Sequence, residues 1–233
     1  ATSPPHPTRP PASGKCSVSD CAAAAHTAPA ATAARGTPGG AVSAPAALLG
    51  GVLALAVSVW PVVHAAKTHG EAIFSNTTFL VLWHGILAAC TLLNVSLLAR
   101  EAKRRDQPFV SEGMKTALRA VSPPLIVGGV LAGGLVIWLH NLTLAAFIWV
   151  LCYGLGLIAM SNFAPKSLVR LGWAFVIAGL VLFLAWAAND EVRNLRTDLG
   201  PASLVMALTF GLLHLVYAVA VFASAPKPRE VAA

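Results

Sequence analysis

The sequence predicts an all-α fold, a polytopic membrane bundle of six transmembrane helices with a disordered N-terminal tail. Of 233 residues, 57% are hydrophobic and only 11% are charged, whereas a soluble domain has about 25% charged residues. Six apolar segments have roughly the 20 residues that a helix needs to cross a bilayer. Barrel strands would instead be about 10 residues long with alternating polarity. The one charged residue within the six segments is Arg170, at the first position of the fifth.

The tail and the spans divide the chain into three parts. Residues 1–40 are rich in Ala, Pro, Thr and Ser, with Val18 as the one large apolar residue. Such a segment buries too little surface to offset its ordering entropy, so we expect a disordered tail, long enough to lie across a neighbouring subunit. Its acid-poor composition also fits the remnant of a targeting segment. A short tail, 225–233, ends the chain, and the predicted spans are 41–65, 76–99, 121–140, 142–162, 170–188 and 201–224.

Local signals mark the ends of several spans. Trp60, Pro61 and His64 give the first span an aromatic and polar ending suited to the membrane interface. Pro123-Pro124 is predicted to open the third span, because proline is tolerated in the first turn of a helix. The four residues 140–143 join spans three and four, which predicts a tight helical hairpin.

The distribution of basic residues predicts the orientation in the membrane. Three basic residues, Lys67, Arg193 and Arg196, lie on one side of the predicted bundle. Ten lie on the other: Arg100, Lys103, Arg104, Arg105, Lys115, Arg119, Lys166, Arg170, Lys227 and Arg229. The positive-inside rule then places both termini in the cytoplasm and the protein in a bacterial cytoplasmic membrane. The net charge of +7 is therefore attributed to topology, and no nucleic-acid partner is predicted.

One basic cluster could also contact lipid head groups. It consists of Arg100, Lys103, Arg104 and Arg105, directly after the second span. Each basic side chain near an anionic membrane surface contributes about 1 kcal/mol.

Small residues predict where the helices pack. Span three contains G-x-x-x-G at positions 129 and 133 and a small-x-x-x-small pair at 128 and 132. Because glycine has no side chain, it lets two helix backbones approach closely. Close packing matters in a membrane, where lipid provides no hydrophobic drive for helices to associate. The predicted packing glycines are Gly128, Gly129, Gly133, Gly134, Gly154, Gly172 and Gly179. They could serve contacts within the bundle or contacts with a partner's helix.

Two histidines are the candidate cofactor-binding residues inside the spans. His84 and His214 could ligate a haem b between helices. However, their positions along the two spans differ in depth by about 7–8 Å at 1.5 Å per residue, which suits one haem poorly. The alternatives are histidines hydrogen-bonded for structural reasons, or a quinone, pigment or substrate contact. The expected hydrogen-bond partners are Thr91, Asn94, Ser96, Thr209 and Tyr217.

The sequence indicates no catalytic class. It contains no H-E-x-x-H, G-x-S-x-G or Walker-type loop. We therefore predict no catalytic residue and no metal site. Cys90 and Cys152, inside spans two and four, are expected to be small packing residues.

From residue 100 to 222 the chain resembles a family of uncharacterised bacterial six-span integral membrane proteins. The resemblance rests on AREAKRRDQPF, PPLIVGGVLAGGL, LCYGLGLIAMSNFAPKSLVRLGWAFVIAGL and MALTFGLLHLVYAV. It implies the six-span fold and transfers no site. His214 matches a Gly-x-x-His-x-x-Tyr pattern in the last span of that family.

These features together favour a non-enzymatic membrane protein that acts as an accessory or scaffolding subunit. Its expected partners are the lipid bilayer and other membrane-protein subunits. The first alternative is a redox protein that contacts haem b or a quinone through His84 and His214. The second is a small-molecule transporter or channel, for which scattered Asn, Ser, Thr and His residues would have to line the path.

Overall fold

The computed structural model of the protein describes residues 39–67, 75–104, 106, 108, 110, 112–162, 164–190 and 199–224. The chain divides into Ala1–Thr37 and Pro38–Ala233. The predicted N-terminal tail therefore lies almost wholly outside the described residues, and the C-terminal tail lies wholly outside them. Six helices follow one another: α1 Gly39–Lys67, α2 Asn76–Arg104, α3 Glu112–Ile137, α4 Leu142–Ala159, α5 Lys166–Ala187 and α6 Leu199–Ala223.

All six helices are long and apolar enough to cross a membrane. Their outer faces carry large apolar side chains, including Leu92, Val130, Ile177 and Leu184, each more than half exposed. On a soluble protein such a surface would favour aggregation, whereas lipid tails solvate it. The predicted all-α, six-span fold is confirmed.

The start of α3 differs from the prediction. The helix begins at Glu112, so Pro123 and Pro124 lie in its interior. Lys115 forms a salt bridge with Glu112 across the first turn, which supports the early start. Proline removes the N–H that would bond to the carbonyl four residues earlier. The hydroxyl of Ser122 donates to the carbonyl of Arg119 at 3.5 Å and partly replaces the bond lost at Pro123.

The hairpin between α3 and α4 has the predicted tight geometry. His140 adopts a left-handed conformation with φ of 51°. Asn141 caps α4, with its side-chain oxygen accepting from the Leu144 N–H at 2.8 Å. A side-chain cap satisfies a backbone donor that would otherwise have no partner at the helix start. This short connection fixes α3 and α4 as antiparallel neighbours.

Glycine brings the backbones of α4 and its neighbours into contact. A Cβ on Gly154 would lie 2.9 Å from the carbonyl oxygen of Gly172, and one on Gly172 would lie 2.9 Å from that of Gly154. Gly179 faces Val150 at a similarly short distance. On the opposite side of α4, a Cβ on Gly128 of α3 would lie 2.6 Å from the Cβ of Cys152. Helix α4 is therefore held between α3 and α5 by glycine contacts.

A second glycine crossing joins α1 to α6, at positions that the sequence analysis did not select. A Cβ on Gly51 would lie 3.0 Å from the carbonyl oxygen of Gly211, and one on Gly211 would lie 2.6 Å from the Cδ2 of Leu55. Gly211 lies in a π-helical stretch, Ala207–Leu213, within α6. In the sequence, the Gly50-Gly51 pair of span one was the feature that could have indicated this crossing.

Three of the predicted packing glycines do not meet another helix. A Cβ on Gly129 or Gly133 would have no neighbouring atom within 4 Å, and one on Gly134 would meet only Trp138, four residues further along the chain. The 128/132 pair of α3 thus faces the bundle, whereas the G-x-x-x-G pair faces outward. The two pairs are one residue apart, and one residue is about 100° of helix rotation.

Helix α2 is less embedded than the others. It packs mainly on α1, and its buried residues are Phe79 and Trp83, both in its first half. Gly85 would accept a Cβ without meeting any atom within 4 Å. Further along, α2 meets α1 where a Cβ on Gly50 would lie 3.1 Å from the Sγ of Cys90.

We predict that Gly154→Ala destabilises the bundle, because its Cβ would press on the Gly172 carbonyl. Overpacking of this kind costs about 1–3 kcal/mol. Thermal unfolding of the purified protein in mild detergent would measure it. Gly133→Ala is the matched control and should unfold within a degree or two of wild type; equal destabilisation by both substitutions would contradict the packing described here.

Candidate binding cavity

A cavity of about 310 Å³ lies between α2 and the rest of the bundle. All six helices contribute to its wall, including Gly50 of α1, Leu125 of α3 and Leu171 of α5. Most lining side chains are aliphatic or aromatic, and none is Asp, Glu, Lys or Arg. Its size and apolar lining are those of a small-molecule binding site, at the lower end of the usual range.

An aromatic cluster forms one side of the cavity. The ring of Tyr153 lies 4.9 Å from Phe175 and 5.0 Å from Phe210, and Phe210 in turn lies 5.8 Å from Trp83. The imidazole of His214 is stacked on Phe210 with an interplanar angle of 14°. Tilted and edge-on ring pairs of this kind stabilise each other beyond their buried area. The cluster therefore holds Tyr153 and His214 in fixed orientations.

Tyr153 and His214 are joined by a hydrogen bond. The hydroxyl oxygen of Tyr153 lies 3.1 Å from Nε2 of His214, and Nδ1 of His214 lies 3.0 Å from the carbonyl oxygen of Phe210. A carbonyl only accepts, so Nδ1 carries the proton, and Nε2 must then accept from the Tyr153 hydroxyl. Both nitrogens of the neutral imidazole are thereby satisfied. The phenolic oxygen keeps an acceptor site for a further donor.

The π-helical stretch of α6 determines where His214 points. It ends at Leu213, immediately before His214. A π turn adds one residue to a helix and rotates everything after it, and such turns are frequent at functional sites. The same stretch contains Phe210, whose ring and carbonyl both contact His214.

Two further lining residues carry buried polar atoms without a partner. Within the described part of the chain, neither Oδ1 of Asn94 nor Nε1 of Trp83 has a hydrogen-bond partner. An unpaired buried polar group costs about 1–3 kcal/mol, so these atoms are unusual in a packed bundle. Asn94 supplies an acceptor and Trp83 a donor, on one face of α2.

The wall of the cavity reaches the outer surface of the bundle at α2 and α3. Thr91 and Leu87 of α2 and Leu125 of α3 all line the cavity and are exposed, Leu87 to 40% and Leu125 to 37%. A molecule dissolved in the bilayer could therefore reach the cavity sideways, without first entering water.

His84 does not share this cavity with His214. Its Nδ1 donates to the Leu80 carbonyl at 2.8 Å, and its ring lies 4.9 Å from Trp149, while the residue is exposed. The two candidate cofactor ligands are thus in different surroundings, and both nitrogens of His214 are already engaged. This arrangement does not present the pair as two axial ligands of one haem.

The hydrogen-bond partners found for the histidines are not those expected from the sequence. Ser96 donates to the carbonyl of Leu93, and Thr209 donates to that of Val205. Thr91, Asn94 and Tyr217 line the cavity. Tyr153 was missed, although a hydroxyl in the middle of an apolar span requires a partner. That requirement was the signal that could have identified it.

The remaining predicted residues have the following positions. Arg100, Lys103 and Arg104 form the end of α2 beyond its apolar part, and Arg105 lies outside the described residues. Cys90 and Cys152 are free thiols. In the described ranges no group of three His, Cys, Asp or Glu side chains could hold a metal ion.

No protein-family model, curated protein or solved structure matches this chain. The resemblance to a bacterial six-span family therefore stays a prediction, and the cavity is interpreted from its own chemistry.

We predict that Tyr153→Phe and His214→Phe each destabilise the bundle, since each leaves one buried partner unsatisfied. The double variant should cost less than the sum of the two, with a coupling energy of about 1 kcal/mol. Unfolding by a denaturing detergent, monitored by circular dichroism, would provide the three free energies. Strict additivity would contradict the hydrogen bond.

Proposed function

We propose that this chain is a non-enzymatic integral membrane protein that binds a hydrophobic small molecule in its central cavity. The observation that carries the proposal is a cavity with an apolar wall, a few convergent polar groups and an opening toward lipid. Binding sites for small molecules commonly combine these properties.

The packing of α2 supports a binding role. Close-packed interiors leave few voids larger than a water molecule, yet about 310 Å³ remains open along this helix. Simple collapse of α2 would remove the void, but Trp83 is wedged against Phe79 and Phe210 at one end. The aromatic contacts keep the helices apart at the level where a ligand would lie.

We expect Ala47→Phe to abolish ligand binding, because Ala47 lines the cavity and a phenyl ring there would occupy much of it. The measurement is native mass spectrometry of the protein released from mild detergent, combined with extraction and identification of the bound molecule. Wild type should retain a ligand and Ala47→Phe should lose it.

Ala56→Phe provides the matched control. Ala56 lies on the same helix but is exposed and is not part of the cavity wall, so this variant should retain the ligand. Size-exclusion chromatography establishes that both variants are folded. Ligand retention by a folded Ala47→Phe variant, or its absence from wild type, would count against the proposal.

A role as an accessory or scaffolding subunit is the second candidate, favoured by the outward-facing pair Gly129 and Gly133. Small residues four apart let two membrane helices approach closely, and neither glycine meets an atom of the bundle. Val130 beside them is more than half exposed. This face of α3 could hold a helix of another subunit.

Gly133→Leu should leave the stability of the isolated protein unchanged and reduce the recovery of any co-purifying membrane protein several-fold. The reason is that a leucine side chain would hold a partner's backbone away from α3 without touching the bundle. Quantitative mass spectrometry of affinity-purified protein would measure the recovery. Ala56→Leu, on an exposed face of α1, is the control; equal losses in both variants, or none in either, would argue against this face.

The proposed location is a bacterial cytoplasmic membrane, with both termini on the cytoplasmic side. Its support is the basic end of α2, with Lys103 and Arg104 in the last turn, and the basic start of α5 at Lys166 and Arg170. Because consecutive helices alternate in direction, these ends lie on the same side of the bundle, as the positive-inside rule requires of the cytoplasmic face.

A further inference from the structure

We propose that the ligand is a neutral lipid with a hydroxyl head group, such as a long-chain or isoprenoid alcohol. This inference rests on the proposed binding function and adds the chemical class of the ligand. Its basis is the kind of polar atom that the cavity presents, considered together with the size and opening of the cavity.

The size and opening favour a lipid whose head is inside and whose tail extends outward. A volume of about 310 Å³ accommodates a head group and the first part of a chain. The exposed lining residues Leu87 and Leu125 mark where the remainder of the chain would lie, among the bilayer lipids.

The lining favours an uncharged head. Its polar members are hydroxyl, amide, thiol, indole and imidazole groups, and no carboxylate, ammonium or guanidinium is among them. A charged head group would lose its hydration without gaining an opposite charge, which is strongly unfavourable in an apolar cavity. Fatty acids and phospholipids are therefore poor candidates.

The polar atoms favour a head that donates a hydrogen bond. The Tyr153 proton is committed to Nε2 of His214, so the pair offers the phenolic oxygen as an acceptor. Oδ1 of Asn94 is a second acceptor, without a partner among the described residues. A hydroxyl can donate to either oxygen, whereas a quinone, ketone or ester carbonyl cannot.

One lining group, the Nε1–H of Trp83, is a hydrogen-bond donor and would suit a carbonyl head group. Trp83 and Asn94 are eleven residues apart on α2, or about 16 Å along the axis. A carbonyl head at Trp83 would leave the two acceptors, on Tyr153 and Asn94, unmatched, whereas a hydroxyl head that donates to one of these oxygens would leave Trp83 unmatched. The two head-group classes can be separated by experiment.

The test is a competition assay with tritiated 1-hexadecanol on wild-type protein in nanodiscs. The competitors are unlabelled 1-hexadecanol, its methyl ether and 2-hexadecanone, which share the chain and differ in the head. We expect the ether and the ketone to compete about tenfold more weakly, the factor expected for one hydrogen bond worth about 1.4 kcal/mol.

Variants connect this preference to named residues. Tyr153→Phe/His214→Phe removes the phenolic acceptor without leaving either partner unsatisfied, and Asn94→Leu removes the second acceptor. One of these changes should reduce the preference for the alcohol over the ether to about threefold or less, and so identify the oxygen that accepts from the hydroxyl. Ala56→Phe, outside the cavity wall, should retain the tenfold preference. Retention of the tenfold preference in both cavity variants would overturn the assignment of the hydroxyl to these oxygens.

The result with wild-type protein distinguishes failure of the hydroxyl assignment from failure of the proposed binding function. Equal binding of alcohol, ether and ketone would overturn the hydroxyl assignment and leave the binding function standing, as would tighter binding of the ketone. If none of the three binds, the hydroxyl assignment is overturned as well, and the binding function is decided by native mass spectrometry of wild type and Ala47→Phe.

Discussion

Backbone contact at glycine is the constraint on which this bundle depends. Lipid solvates apolar side chains as well as a protein interior does, so helices in a membrane associate through close packing. Gly154 and Gly172 bring α4 against α5, and Gly51 and Gly211 bring α1 against α6, each with a carbonyl oxygen where a side chain would otherwise be. These crossings fix the positions of α4 and α6, the two helices that provide Tyr153 and His214.

The cavity arises where this kind of contact is missing. The first half of α2 rests on the bulky rings of Phe79 and Trp83, and at the middle of the helix the Cys90 thiol lies against Gly50 of α1. Side-chain contacts hold helices further apart than glycine contacts do. Space therefore remains between α2 and the rest of the bundle, and Asn94 in the second half of α2 lines it.

The sequence predicted the spans well because their signal is local. Twenty apolar residues identify a span, whereas a helix can continue beyond it in polar residues, which is why α3 begins at Glu112 and not at Pro123. Because the signal is local, the sequence also identified only part of the cavity's polar pair. His214 was selected as a histidine in an apolar span, but its partner Tyr153 is 61 positions away, and the π stretch that rotates His214 leaves no pattern in composition. Helix rotation also decided which of Gly128 and Gly129 faces the bundle.

The tautomer of His214 determines which hydrogen-bonding group Tyr153 leaves free. Because the Phe210 carbonyl binds the Nδ1 proton, the imidazole has one lone pair left, and Tyr153 occupies it. An imidazole held in this way is poorly placed to ligate iron, and its tyrosine is left as an acceptor. Were Nδ1 free to accept, Nε2–H could donate to Tyr153, and the phenol would instead offer its proton to a carbonyl ligand. In the proposed site, the preference for an alcohol over a quinone therefore rests on a backbone carbonyl one helical turn before the histidine.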